Sequence, residues 1–153
     1  MKKVFWITGI VIVLLDQVTK LLMLSLPDKD WGWFAFHTVE NTGAGFSILQ
    51  NSNTLLLGIS VIIVALLLLF WKKFETVEQF FITFVVGGAI GNILDRILHG
   101  HVIDFLDFKV WPIFNIADSF IFIGVFCLIV YAFREKSSWL EKQFGKLKKS
   151  LEN

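Results

Sequence analysis

Two aspartates stand out in a chain that is otherwise strongly apolar: Asp104 and Asp118. Asp104 lies just beyond the end of one apolar segment and Asp118 opens the next, so the short connection between them can bring both carboxylates to one level. Two carboxylates a few ångström apart cannot both ionise easily and share one proton. The ionised member can then take a proton from water while the protonated member polarises a carbonyl, which is the chemistry of amide hydrolysis. Asn115 stands three residues before Asp118 and shares its helical face. Amides such as Asn92 and Asn115 can donate to a carboxylate or a developing oxyanion without adding charge. A plainer account also exists for Asp118, as a carboxylate favoured by the dipole at a helix N-terminus. That account explains one aspartate but not the pair, and residue types alone leave both open.

Other polar residues interrupt apolar segments, where a charge costs about 2.5–3.5 kcal/mol near the centre of a span. Asp16 and Lys20, four apart, share a face and form an internal ion pair on this reading, with structural support as its expected role and a bracket for a neighbouring loop as the alternative. Asn92, Asp95 and Arg96 fall together in a third segment. Either they pack, with an Asp95–Arg96 pair at the outer interface, or Asn92 and Arg96 line a polar cavity. Gly87 and Gly91 form a small-xxx-small pair that admits another helix. His99, His101, Asp104 and Asp107 offer a rival zinc set, but their spacing matches no helical H-x3-H pattern and no metal is expected.

The elements that must hold these residues are membrane helices. Apolar residues make up 56% of the 153 residues, 17 of them Phe, more than one soluble core of this size could hide. They come in runs near the ~20 residues that cross ~30 Å of hydrocarbon: about Val4 to Leu24, Thr54 to Trp71, Phe80 to Leu98 and Ile116 to Phe133. The expected fold is therefore all-α and integral to the membrane, a single domain over 1–153 with four transmembrane helices. The basic residues of the N-terminus, of Lys72-Lys73 and of the tail from Arg134 place both termini in the cytoplasm. The Pro27–Asn53 and Gly100–Asn115 connections then face outward. The alternating aromatic stretch Trp31–Glu40 reads as short strands or an interfacial element, and the loop from Trp31 to Phe46 could serve as a lid. Trp139, Leu140, Phe144, Leu147 and Leu151 read as an amphipathic cytoplasmic surface helix. The first span resembles a signal peptide but carries Asp16 and Lys20 and no small-x-small site, so it is expected to be retained. A net charge of +1 gives no field for nucleic acid, and the single Cys127 forms no internal disulfide. A small transporter would spread its polar groups over several depths, and a non-catalytic scaffold would leave both aspartates replaceable.

Five segments in order resemble the lipoprotein signal peptidases, the signal peptidase II family. They are Asp16-Gln-Val-Thr-Lys20, Asn41-Thr-Gly-Ala-Gly-Phe-Ser47, Gly88-Ala-Ile-Gly-Asn92 with Asp95-Arg96, Val102-Ile-Asp104-Phe105, and Phe114-Asn-Ile-Ala-Asp118-Ser119. The only departure is Gly45, where many relatives carry Ala. The resemblance implies a metal-independent aspartic endopeptidase of the bacterial cytoplasmic membrane, without cofactor. Its substrate would be a diacylglyceryl-modified prolipoprotein, cut just before the lipidated cysteine at the outward face. The resemblance carries the catalytic pair onto Asp104 and Asp118. It puts Asn41, Gly43, Asn92, Arg96 and Asn115 in substrate binding or support, leaving Asp16, Lys20 and Asp95 as structural polar residues. It also implies contact with membrane lipid, inhibition by the cyclic peptide globomycin, no nucleic-acid partner, and action as a monomer.

Overall fold

The computed structural model describes residues 2–43 and 49–151, with side chains for 3–43 and 49–137. Four helices form from the four apolar runs: α1 (Lys2–Ser25), α2 (Asn53–Leu69), α3 (Thr76–Leu98) and α4 (Ile116–Leu151). Three strands accompany them: β1 (Lys29–Asp30), β2 (Ala35–Asn41) and β3 (Val102–Asp107). Their sheet has the order β1-β2-β3, with both pairings antiparallel. Among the described residues, three helical stretches are long and apolar enough to cross a membrane: Lys3–Ser25, Thr76–Leu98 and Ile116–Ser137. The expected second span is the shorter α2, 17 residues long, and Trp71 begins a 3-10 turn (Trp71–Lys73) rather than ending the helix. The third helix starts four residues before the expected Phe80, because Glu75 and Glu78 close a capping box, the Glu75 N–H donating to Glu78 Oε2 at 2.8 Å. The tail continues α4 without a break. The aromatic and apolar side chains expected to anchor it, from Trp139 to Leu151, lie outside the described residues.

The core is a stripe rather than an interior. On α1, Phe5, Ile12, Asp16 and Lys20 are buried along one face, while Trp6, Ile10, Leu14, Leu21 and Leu22 are exposed. Such a distribution suits a helix whose outer solvent is hydrocarbon. The central helix is α3, which packs against α1, α2 and α4. Its glycines make this possible. A Cβ on Gly87 would press on Ile12 of α1 at 3.1 Å, and one on Gly91 would sit 2.5 Å from Asp16 Oδ2. A Cβ on Gly88 would fall onto the Ala117 carbonyl oxygen of α4. The expected close approach of one helix is thus an approach of two, on adjacent sides of α3.

Outside the helices, the aromatic stretch forms the β1–β2 hairpin. Phe34 packs edge-on against Phe36 at 5.1 Å and at a tilt against Phe108 at 4.9 Å, while Trp31 and Trp33 remain exposed. The strand β3 follows α3 through Gly100, whose φ of +81° is the left-handed conformation that glycine adopts past a helix end.

The glycine contacts predict opposite outcomes for one substitution at two places. Gly88→Ala sets a methyl against backbone, which cannot give way cheaply, and is expected to destabilise by about 1–3 kcal/mol or more. Gly58→Ala meets nothing within 4 Å and is expected to be neutral or stabilising by up to ~1 kcal/mol through helix propensity. Thermal unfolding of the two variants in one detergent checks this.

Candidate active site

Three backbone features bring Asp104 and Asp118 into one region. Asp104 sits mid-strand on β3, opposite Val39 of β2, and is 2% exposed. After β3 the chain makes a short excursion and returns: Phe114 pairs with Leu106, its N–H donating to the Leu106 carbonyl at 3.1 Å and its own carbonyl accepting from Leu106 N at 2.8 Å. Asn115 is thereby delivered beside β3 just as α4 begins. It caps that helix, its Oδ1 accepting the Asp118 N–H at 2.8 Å, while the Asp118 carboxylate faces back to Asn115 N at 3.4 Å. The dipole account of Asp118 is therefore true of its position in the first turn of α4. It is incomplete, because Asp118 Oδ1 also accepts from Asn92 Nδ2 of α3 at 2.8 Å.

Each aspartate is held by amides. Asp104 Oδ2 accepts from Asn41 Nδ2 at 2.8 Å and Oδ1 from Asn115 Nδ2 at 2.7 Å. Asn41 reaches it because it lies two residues beyond Val39 on the same face of β2. Burial, followed by the negative charge of Asp118, pushes the Asp104 carboxyl up to about 7. The N–H groups of Asn41 and Asn115 and the positive charge of Lys20 oppose that rise. Asp104, Asp118, Asn41, Gly43, Asn92 and Arg96 line one cavity of about 360 Å³, whose apolar wall includes Leu56 and Ile59 of α2. A second, apolar groove of about 370 Å³ between α1, α2 and α3, lined by Trp6 and Trp71, carries none of these groups.

Beneath the cavity lies a buried ionic brace. The Lys20 Nζ is 2.7 Å from Asp16 Oδ2, 2.7 Å from Asp95 Oδ2 and 3.1 Å from Asn92 Oδ1. Asp16 Oδ1 accepts the Ala117 N–H of α4 at 2.9 Å, and Asp95 Oδ2 accepts the Ile103 N–H of β3 at 3.1 Å. The expected Asp16–Lys20 pair is present, and it also brackets neighbouring elements. Of the two readings left open for the third segment, the Asp95–Arg96 pair is not formed and Asn92 and Arg96 line the cavity. Neighbours in a helix point about 100° apart, so Asp95 faces α1 while Arg96 turns to the cavity. There the Arg96 Nη2 donates to the Gly43 carbonyl at 3.1 Å, holding the connection between β2 and α2. Gly43 N in turn donates to Asn41 Oδ1 at 2.9 Å.

The rival zinc residues disperse. His101 lies 3.7 Å from Glu40, Asp107 pairs with Lys109 at 2.9 Å, and among the described residues no group of three or more His, Cys, Asp or Glu is placed to hold a metal ion. Ala44, Gly45, Phe46 and Ser47 of the second motif lie outside the described residues, as does the end of the expected lid. Two participants were not singled out from sequence. Gln17 donates to Asp95 Oδ1 at 2.8 Å and locks the brace, and Asn53 reaches the Arg96 carbonyl at 3.4 Å from the start of α2. Gln17, an amide inside an apolar run beside Asp16, carried the signal that could have found it.

Known proteins resemble this chain along nearly its whole length. The family described as Signal peptidase (SPase) II matches residues 8–134. A lipoprotein signal peptidase of Halothermothrix orenii is 37% identical, covering 86% of this chain and 96% of that protein. One of Cyanothece sp. is 42% identical, covering 84% and 82%. Among solved structures, a bacterial membrane enzyme determined by the in meso method at 2.3 Å superposes with a TM-score of 0.82 at 30% identity, covering 89% of this chain and 91% of that one.

The environment of Asp104 predicts its titration. The carboxyl carbon should titrate near pH 7 by NMR, not near 4, and Asn41→Ala, which removes a donor to the ionised form, should move the midpoint higher. Because its folded value is raised, ionising Asp104 destabilises the fold, so this group's contribution is full below about pH 4 and lost as pH rises through about 7.

Proposed function

This chain belongs to the signal peptidase II family, and on that premise we propose that it is an aspartic endopeptidase that removes signal peptides from diacylglyceryl-modified prolipoproteins, cutting just before the lipidated cysteine. The observation that carries this reading is the pair of amide-held carboxylates, Asp104 and Asp118, opening onto one cavity between α2, α3 and α4. An Asp104 carboxyl pushed up to about 7 by burial and by the charge of Asp118 supports a pair holding a single proton at neutral pH. The ionised member takes a proton from water as the oxygen attacks the scissile carbonyl. The protonated member polarises that carbonyl and then returns a proton to the leaving amine. The roles belong to the pair rather than to either residue. Asn92 and Asn115 stabilise the ionised forms without fixing a counter-charge beside them. Arg96, by holding the Gly43 carbonyl, shapes the roof of the cavity. No step requires a metal or cofactor.

Four membrane crossings with both termini cytoplasmic put the sheet and the pair at the outward surface. The apolar wall from α2 gives the helical signal segment and its lipid a route from the bilayer. The exposed Trp31 and Trp33 suit the headgroup level, with the hairpin covering the cleft. The cyclic peptide globomycin is expected to compete for the same cavity, and a single chain supplies every residue of the site.

The decisive measurement uses purified, lipid-modified precursor with Asp104→Asn and Asp118→Asn. Carboxamides keep the shape but cannot carry the shared proton, so each variant should lose about 10²–10⁴ in kcat. Cleavage at the normal rate by either one excludes the pair. Orientation is checked separately: a cysteine introduced between residues 108 and 113 should react with an impermeant reagent only from outside the cytoplasm, and labelling from the cytoplasmic side would reverse the topology.

A further inference from the structure

Lys20 is 1% exposed, lies on α1, and touches neither aspartate of the pair, yet its contacts lead to both. An ammonium group has three N–H donors and no lone pair. Here three oxygens surround it: Asp16 Oδ2, Asp95 Oδ2 and Asn92 Oδ1. Pairing with Asp16 and Asp95 uses only the first two. The third contact reaches into the cavity.

We propose that Lys20 is a positioning residue for the Asp104–Asp118 pair, fixing which side of the Asn92 carboxamide, and through it of the Asn115 carboxamide, is turned toward the two carboxylates. The inference rests on the reading of that pair as the reacting groups. A carboxamide can be turned end for end with little change of shape, so something must choose its setting. The ammonium chooses for Asn92, because only the oxygen can face it. The Nδ2 of Asn92 must then point away, where it donates to Asp118 Oδ1 at 2.8 Å. The same Asn92 oxygen lies 3.1 Å from Asn115 Nδ2. That contact turns the Asn115 N–H groups inward, one of them to Asp104 Oδ1 at 2.7 Å, and leaves its oxygen for the Asp118 N–H.

The choice matters because the proton moves during the reaction. A protonated carboxyl is itself a donor and would reward an amide that turned its oxygen inward. The carboxylate formed next would then face an oxygen instead of an N–H. Lys20 denies the amides that alternative, so they remain donors in every protonation state. Its charge also acts on the pair directly, favouring the ionised form of Asp104. The other charged groups packed around the pair are Asp16 of α1 and Asp95 and Arg96 of α3.

The test uses the full-length enzyme in detergent with lipid-modified precursor. Lys20→Met should lower kcat about 10²-fold, the cost of small misplacement, with KM within a few-fold of the parent. Its alkaline limb should also shift to higher pH, since the cation that favours ionised Asp104 is gone. Because Lys20→Met leaves Asp16 and Asp95 unpaired, a second variant, Asp16→Asn with Lys20→Met and Asp95→Asn, removes the charges together. Its amide oxygens can still accept from Ala117 N and Ile103 N. A folded triple variant with the same fall in kcat supports the proposal. Parent-like kcat in that variant, an unshifted profile in Lys20→Met, or failure of both to fold assigns Lys20 to the fold alone and overturns it. If Asp104→Asn or Asp118→Asn still cleaves, the reading of the pair fails instead.

Discussion

A charge buried in a membrane helix must be neutralised within hydrogen-bond reach, and the ion network of Lys20 is where this molecule meets that demand. Lys20, Asp16 and Asp95 together carry one net negative charge. The excess is met by the backbone N–H groups of Ala117 and Ile103 and by the side chain of Gln17. Those donors come from α4, β3 and α1, while Asp95 itself belongs to α3. Satisfying the charge therefore fixes the relative positions of the elements that carry the site. A buried ion pair is weak evidence for net stability, since removing water from the ions offsets much of their attraction. Its stronger effect is on uniqueness. Any other packing of α1 against α3 would leave a carboxylate or an ammonium unpaired in hydrocarbon, where even one such group costs about 2.5–3.5 kcal/mol.

The glycines of α3 are the steric half of the same arrangement. Asp16, paired with Lys20 on its own helix, reaches the Ala117 N–H of α4 across a surface of α3 that has no side chain at Gly91. Gly88 lets the first turn of α4 lie against α3, which brings the Asp118 carboxylate to Asn92. Close approach and hydrogen bonding thus depend on one another. Above this layer the supporting groups change from ions to amides. A cation in direct contact would hold both aspartates ionised, whereas an amide N–H stabilises a carboxylate without forbidding its protonation. Arg96 has the charge to disturb that balance, and its guanidinium is instead committed to the Gly43 carbonyl.

Much of this was legible in the sequence because lipid makes polar residues conspicuous. Asp16, Lys20, Asn92, Asp95, Asp104, Asn115 and Asp118 interrupt or border apolar runs, and all seven are in the connected polar layer. Family resemblance supplied what chemistry alone left open, the priority of the Asp104–Asp118 pair over a helix-terminal role for Asp118. The pairing of β2 with β3 was not legible. It joins segments some sixty residues apart through backbone groups, and residue type carries little information about register. The partner of Asp95 stayed open between Arg96 and none, because adjacency in sequence suggests a pair although adjacent helical residues diverge, and the actual partner, Lys20, lies on another helix. The unbroken course of α4 into the tail was missed because polar composition signals the end of a membrane span, not the end of a helix.

The helix α2 is the element least bound by these constraints. It has no buried residue and no charge along its length, and its main packing partner is α3. Its one described polar tie is at its N-terminal end, where the Asn53 side chain meets the Arg96 carbonyl. A helix held mainly by apolar contact gains little over contact with lipid tails, because both surfaces are equally apolar. The cavity wall formed by Leu56 and Ile59 can therefore exchange protein contacts for contacts with an incoming apolar segment at small cost. The opposite wall cannot, since it is tied into the amides and the ion network. This asymmetry, rigid and polar on the side of α1, α3 and α4, compliant and apolar on the side of α2, is what the proposed reaction asks of an enzyme that draws a lipid-anchored peptide from the bilayer.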